Sequence, residues 1–187
     1  MDNKMEVLVK LAGILEGLPW LVGGSTAGML QGAFKDSNDI DIITDKRTAY
    51  EIDERLAEFT VQQVAQGEID KQGVHYASHF GTYEIDGVEV EVIGDLVMDY
   101  GEGTFGPVFD KMKSEAKLVE VGGKSVPVEP LEYALVLSVL RKQPDKSRPL
   151  ADFLLKTGFD KEYLLRIIEN EKLPEKYAQE IKGLLKL

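Results

Sequence analysis

The 187-residue sequence contains no cysteine. This absence excludes disulfides, thiolate-bound zinc, iron–sulfur clusters and a cysteine nucleophile. No apolar run approaches the length of about 18 residues that indicates a membrane-spanning helix. The first residues, Met1 to Glu6, lack the basic and then apolar pattern of a signal peptide. We therefore expect a cytoplasmic protein with no membrane segment.

Positive charge is also scarce, with 22 Lys and Arg against 33 Asp and Glu and a formal net charge of −11. The excess lies in one half: residues 1–98 hold 18 acidic and 7 basic residues, whereas residues 99–187 hold 15 of each. Affinity for nucleic acid comes mainly from Lys and Arg that neutralise phosphates. The composition therefore argues against a long nucleic acid as a partner. Either a bound cation or simple solubility would explain so many carboxylates.

The hydrophobic pattern predicts an α+β (mixed α/β) fold in three parts. Residues 1–98 alternate amphipathic helices with short apolar strands, which is typical of an α/β domain. Residues 99–128 predict a connector that contains a β-hairpin, and residues 129–187 predict a helical C-terminal subdomain. Asp86-Gly87 predicts a tight hairpin turn, because both residues tolerate positive φ.

Three local details of the pattern make sharper predictions. Ser25-Thr26 is expected to cap the N-terminus of a helix over residues 27–34. Residues 61–64 predict only a short strand. Pro149 and Pro174 are each expected in the first turn of a helix, where proline is tolerated.

Two aspartates on a predicted strand are the first candidate functional residues. Asp39 and Asp41 are two residues apart, so both carboxylates point to one face, about 7 Å apart along the chain. Like charges at this spacing are unfavourable unless a cation lies between them or one is protonated. Mg²⁺ takes hard oxygen ligands and is commonly held by one or two carboxylates together with substrate phosphates. A solvated acidic strand face is the alternative interpretation.

A glycine-rich turn precedes these aspartates and predicts an anion site. Gly24 and Ser25 open a helix whose free N–H groups and positive dipole end favour a phosphate. Glycine allows close approach of the backbone, and the Ser25 hydroxyl can add a hydrogen bond. An ordinary turn with a helix cap is the alternative. A phosphate site and a metal site in one strand–helix–strand unit indicate binding of a nucleoside triphosphate.

A third carboxylate would complete a two-metal site, and a later strand offers Glu89 and Glu91. The valines that alternate with them are expected to face the core, so both glutamates share the other face. The third carboxylate would bind the metal near an attacking hydroxyl and help to take up its proton. We favour Glu91, because it lies deeper in the strand. Both glutamates could instead be ordinary solvent-facing residues.

Gly23-Gly24-Ser25, followed after a helix by Asp39-Ile40-Asp41-Ile42, resembles the signature of the DNA polymerase β-type nucleotidyltransferase superfamily. The resemblance covers about residues 20–94 and is strongest to the small bacterial and archaeal members. It implies a small mixed sheet with flanking helices. It also implies metal-dependent transfer of a nucleoside monophosphate from an NTP, with ATP as the expected donor, to a hydroxyl of a small molecule or protein.

The same resemblance implies roles for particular residues. Asp39, Asp41 and Glu91, or Glu89 in its place, would bind Mg²⁺ or Mn²⁺, and Gly23, Gly24 and Ser25 would contact the triphosphate. A catalytically inactive protein of the same fold, acting as a binding or antitoxin-type protein, is the alternative.

The basic stretch from Arg141 to Arg148 allows two interpretations. It predicts either a solvated loop between helices or a set of cations that reach over the cleft to the triphosphate.

Overall fold

The computed structural model describes residues 3–187, and over that range the chain forms eight α-helices and one eight-stranded sheet. The helices are α1 (Asn3–Ile14), α2 (Gly24–Leu30), α3 (Lys46–Arg55), α4 (Val108–Met112), α5 (Leu131–Leu140), α6 (Pro144–Thr157), α7 (Lys161–Asn170) and α8 (Glu175–Leu184). The strands are β1 (Trp20–Gly23), β2 (Ile40–Thr44), β3 (Thr60–Lys71), β4 (Val74–Ile85), β5 (Val88–Asp99), β6 (Thr104–Phe105), β7 (Lys117–Val121) and β8 (Lys124–Val128). The predicted mixed α/β fold class is confirmed.

The sheet is mixed, with the strand order β3-β4-β5-β2-β1-β8-β7 and β6 beside β5. Strand β2 pairs antiparallel with β1 and parallel with β5. Strand β1 also pairs in parallel with β8, at Val22 and Val128. The hairpin predicted within the connector therefore extends the same sheet. The division into three parts remains a prediction.

Each face of the sheet carries its own hydrophobic core. Ile40 and Ile42 of β2 pack with α1 and α3 on one face. Ile43 belongs to the core on the other face, which α4 to α8 cover. Because side chains alternate along a strand, Asp41 lies on the same face as Ile43. The acidic face of β2 therefore opens toward the C-terminal helices.

Helix α2 begins earlier than the sequence predicts, at Gly24. The prediction that Ser25-Thr26 caps this helix is wrong, because Gly23 occupies the N-cap position and no side chain caps it. The Thr26 hydroxyl instead bonds to the backbone carbonyl of Asp39 and lies 2.8 Å from the Ser37 hydroxyl. It ties the helix to the segment that leads into β2.

The predicted position of Pro149 is also wrong. Helix α6 begins at Pro144, so Pro149 lies inside the helix. Pro144 already occupies a first-turn position, and Pro149, which has no N–H, removes one backbone hydrogen bond on an exposed face. Pro174 lies one residue before the predicted first-turn position, as the N-cap of α8.

Strand β3 is three times as long as predicted and runs from Thr60 to Lys71 along the edge of the sheet. Pairing with β4 extends it through a polar segment in which Val64 is the buried residue. Asp86 and Gly87 have φ values of 51° and 78°, as expected for the tight turn between β4 and β5. None of the helices over residues 3–187 has the length and apolar character needed to cross a bilayer.

Candidate active site

Three of the predicted carboxylates come together at one end of the central strands. Asp41 on β2 and Glu91 on β5 are direct partners in the parallel register, and Asp39 immediately precedes β2. One carboxylate oxygen from each of these residues lies within 4.8 Å of the others. All three residues are half-buried. The group, called the carboxylate triad below, offers hard oxygen atoms at a spacing that suits a divalent cation.

Glu89 lies outside this group. It is two residues before Glu91 on β5 and is exposed. Its charge still contributes to raising the pKa of Glu91. Between the two glutamates proposed from sequence, the geometry therefore brings Glu91, and not Glu89, to the aspartates.

The triad is electrostatically strained without a cation. Burial and then the charge of Asp39 raise the pKa of Asp41 above its ordinary value, while Arg141 and Lys146 act in the opposite direction. Burial, followed by the charges of Asp41 and Asp39, raises the pKa of Glu91 to about 7. Ionisation of Asp41 and Glu91 together is therefore unfavourable, and a bound cation would stabilise their ionised form.

Gly24 allows the start of α2 to approach the triad closely. Its φ is +60°, in the left-handed region that favours glycine. A β-carbon at this position would overlap the Oδ2 atom of Asp41. Only glycine therefore combines this backbone turn with the observed position of the Asp41 carboxylate.

The amide of Gly24, which the sequence assigns to a phosphate, already has a partner in the protein. It donates a 2.9 Å hydrogen bond to Oε2 of Glu129. Gly23 is buried, and Ser25 is half-buried at the second position of α2. The nucleotide-binding roles of Gly23, Gly24 and Ser25 remain predictions.

Glu129 is a site residue that sequence reasoning missed. It follows β8 directly and is 2% exposed. Burial raises its pKa to about 7, and the Asp41 charge adds to this effect, whereas the hydrogen bond from Gly24 and the charge of Arg141 oppose it. The sequence does show a carboxylate directly after a predicted strand. Its position beside Gly24, however, depends on the pairing of β8 with β1, which the local sequence does not show.

Two basic residues of the C-terminal half face these carboxylates. The charges of Arg141 and Lys146 lower the pKa of both Asp41 and Glu129. Arg141 stacks over the ring of Tyr76, 5.6 Å from its centroid, and its Nε atom lies 3.3 Å from the sulfur of Met98. From Pro144 onward, the basic stretch that the sequence predicts as a loop forms the first turns of α6. Arg141 and Lys146 are thus placed where they act electrostatically on the triad.

A buried lysine fixes the segment that carries Asp39. Lys4 of α1 is 8% exposed, and its Nζ atom donates to Oγ of Ser37 at 2.8 Å and to the Ser37 carbonyl. Ser37 in turn lies beside Thr26, whose hydroxyl bonds to the carbonyl of Asp39. This buried network connects α1, α2 and the start of β2.

A mixed sheet flanked by helices, with two carboxylates on neighbouring parallel strands and a third directly before one of them, is the arrangement of a nucleotidyltransferase-type protein. The family model of the aminoglycoside-2''-adenylyltransferases matches residues 5–146. The chain belongs to this family.

Solved structures share the fold. A Thermotoga maritima protein assigned as a nucleotidyltransferase is 31% identical, with a TM-score of 0.64 over 82% of this chain and 94% of that one. The antibiotic-resistance factor ANT(2'')-Ia is 15% identical, with a TM-score of 0.54 over 98% of both chains, and this second likeness concerns the fold alone. The chain has no match among curated proteins.

Proposed function

We propose that the protein is a metal-dependent nucleotidyltransferase that transfers a nucleoside monophosphate, AMP from ATP in the first instance, to a hydroxyl of a small molecule. The observation that carries the proposal is the convergence of Asp39, Asp41 and Glu91, each with an oxygen within 4.8 Å of the others. These carboxylates would hold Mg²⁺ or Mn²⁺. The ion would supply charge stabilisation at the transferred phosphoryl group.

In this reaction the acceptor oxygen forms a bond to the α-phosphorus, the bond from that phosphorus to the bridging oxygen breaks, and pyrophosphate leaves. Glu91 is the proposed acceptor of the hydroxyl proton, because a carboxylate beside a metal-bound hydroxyl is placed to take that proton up. Arg141 and Lys146 face the same carboxylates and are proposed to bind the triphosphate. Gly23, Gly24 and Ser25 are proposed to line the phosphate path, with Glu129 holding the turn in place.

A cationic small molecule is the acceptor class that the charge distribution favours. Residues 1–98, which carry the triad, hold 18 acidic and only 7 basic residues. This surface attracts polyamines and amino sugars and repels polyanions. Because the family is named for adenylyltransferases that act on aminoglycosides, these compounds are the first acceptors to test.

Calorimetric titration of ATP with and without Mg²⁺ tests the metal and nucleotide sites. We expect binding that depends on the metal and that weakens more than tenfold in Asp39→Asn and Asp41→Asn, since each loses a charged ligand. Glu89→Gln is the matched control, because Glu89 is exposed and outside the triad. Equal binding in the aspartate variants and the wild type would overturn the proposed site.

Release of pyrophosphate from ATP in the presence of an aminoglycoside panel tests the transfer itself. We expect release that requires both the metal and an acceptor, with AMP recovered on the acceptor. Binding of ATP and metal without turnover on any acceptor would favour the catalytically inactive alternative.

A further inference from the structure

The guanidinium group of Arg141 is held in place without a carboxylate partner. Arg141 is half-buried at the C-cap of α5. Within the part of the chain that the structure describes, its side chain forms no ion pair, and its one hydrogen bond runs from Nε to the sulfur of Met98, at 3.3 Å. Three other buried or half-buried cations, Lys4, Lys10 and Lys111, each pair with a carboxylate. The charge of Arg141 is therefore left available.

Two adjacent strands orient this guanidinium. Tyr76 on β4 and Met98 on β5 are direct partners in the antiparallel register, so their side chains lie on the same face of the sheet. The central carbon of the Arg141 guanidinium lies 5.6 Å from the centroid of the Tyr76 ring. The two strands thus reach the end of α5 and contact the arginine through a ring and a sulfur atom.

An aromatic ring suits a cation that is to bind an anionic ligand. The face of the ring attracts a guanidinium through its quadrupole but carries no net charge. Burial raises the pKa of the Tyr76 phenol, although the charge of Arg141 acts against this effect, so the ring remains neutral. A carboxylate at the same place would fix the arginine and also neutralise it. The Tyr76 contact orients Arg141 without neutralising its positive charge.

The oriented guanidinium acts on the carboxylates of the candidate active site. Its charge lowers the pKa of Asp41 on β2 and that of Glu129 beside the start of α2. Lys146, in the first turn of α6, acts on the same two carboxyls and likewise forms no ion pair with any described residue. Once a metal ion neutralises the triad, both cations are free to pair with the phosphates of a nucleotide.

We propose that Tyr76 is a positioning residue for the nucleotide site: its ring holds the Arg141 guanidinium in the orientation that binds the triphosphate. This inference rests on the proposed function and gives the distal part of β4 a role in it. The aromatic face, and not the phenol hydroxyl, produces the effect. Met98 adds a second contact, which is weaker because a thioether sulfur is a weak acceptor.

Calorimetric titration with ATP and with inorganic tripolyphosphate, both in the presence of Mg²⁺, tests the proposal. Tyr76→Leu and Tyr76→Met keep an apolar side chain without an aromatic face, and each should raise both dissociation constants about fivefold. Tyr76→Phe keeps the aromatic face and should stay within about twofold of the wild type. Binding of Mn²⁺ alone, followed by electron paramagnetic resonance, should be unchanged in all three variants, because the triad is intact. This readout also verifies that the variants are folded.

A double-mutant cycle shows whether the ring acts through the arginine. In an Arg141→Met background, Tyr76→Leu should cause no further loss of affinity, since the ring then has no cation to orient. Arg166→Met is the matched control, because Arg166 also stacks over a tyrosine ring at 5.6 Å but lies on α7 and pairs with Glu115. It should leave both dissociation constants unchanged.

The outcomes separate the role of Tyr76 from the proposed function. Equal affinity of Tyr76→Leu and the wild type for both ligands would overturn the role of Tyr76 and leave nucleotidyl transfer standing. The same loss in the wild-type and Arg141→Met backgrounds would overturn that role too, because the ring would then act without the arginine. Tripolyphosphate binding that depends on the ring, without binding of ATP, would support the role of Tyr76 and contradict nucleotidyl transfer. Absence of binding of both ligands would overturn both.

Discussion

Replacement of Glu129 by glutamine should change how the stability of the protein depends on pH. Burial raises the pKa of this carboxyl from its ordinary value of 4.5 to about 7 in the folded protein. Between these values the folded state holds a proton that the unfolded state has lost, so the free energy of unfolding falls as pH rises. Above pH 7 Glu129 is ionised in both the folded and the unfolded state, and the free energy of unfolding falls no further because of this group.

The size of this effect follows from the shift. At about 1.4 kcal/mol for each pKa unit, ionisation of Glu129 costs the folded state about 3 kcal/mol by pH 8. A glutamine has no charge to bury, and its side-chain oxygen can still accept the hydrogen bond from the Gly24 amide. Glu129→Gln should therefore match the wild type near pH 4.5 and exceed its free energy of unfolding by about 3 kcal/mol at pH 8.

Urea denaturation of both proteins at a series of pH values, in the presence of a chelator, measures this difference. Glu120→Gln, which removes an exposed carboxylate on β7, controls for the change in net charge. A difference between Glu129→Gln and the wild type that does not vary with pH would refute the reasoning. So would a variant that is less stable than the wild type at pH 8.

Three further predictions concern the surroundings of the triad. Gly24→Ala should lower the free energy of unfolding by about 1–2 kcal/mol because of its φ of +60°. The overlap of the new β-carbon with Asp41 should increase this loss. Gly123→Ala is the control for the backbone effect, because Gly123 also has positive φ but lies in open space. Lys4→Met should cost about 2 kcal/mol in urea denaturation, since it removes the donor to the Ser37 carbonyl in a buried place. Lys10→Met, from an exposed ion pair, should change stability by less than about 1 kcal/mol. Mg²⁺ at about 100 times its dissociation constant should stabilise the wild type by about 2.7 kcal/mol in thermal unfolding, an effect that chelation reverses.

Much of the triad could be predicted because it depends on local pattern. The alternation in Asp39 to Thr44 identifies a strand and places two carboxylates on one face, whatever the rest of the chain does. Asp86-Gly87 identifies the hairpin that contains Glu91 in the same way. The choice of Glu91 over Glu89 rested only on depth in the strand. The register that pairs Glu91 with Asp41 supplies the physical reason.

What could not be predicted depends on pairing between distant segments. Glu129 reaches the Gly24 amide because β8 lies beside β1, and these strands are about a hundred residues apart in the sequence. Strand β3 extends to Lys71 because β4 supplies backbone partners to a segment whose side chains carry little β pattern. The start of α2 at Gly24 follows from a backbone turn that favours glycine, which overrides the capping preference of Ser25 and Thr26.

The parallel register between β2 and β5 has a consequence for folding. Asp41 and Glu91 come from strands that pair only after a long loop has closed, which is a slow, non-local step. A slip of one residue would turn Glu91 to the opposite face of the sheet and separate it from the aspartates. Only chains in which β2 and β5 are correctly aligned would therefore bind a divalent ion tightly. During refolding, the appearance of tight ion binding would report the native alignment of these strands and would be missing from compact chains whose central strands are misaligned.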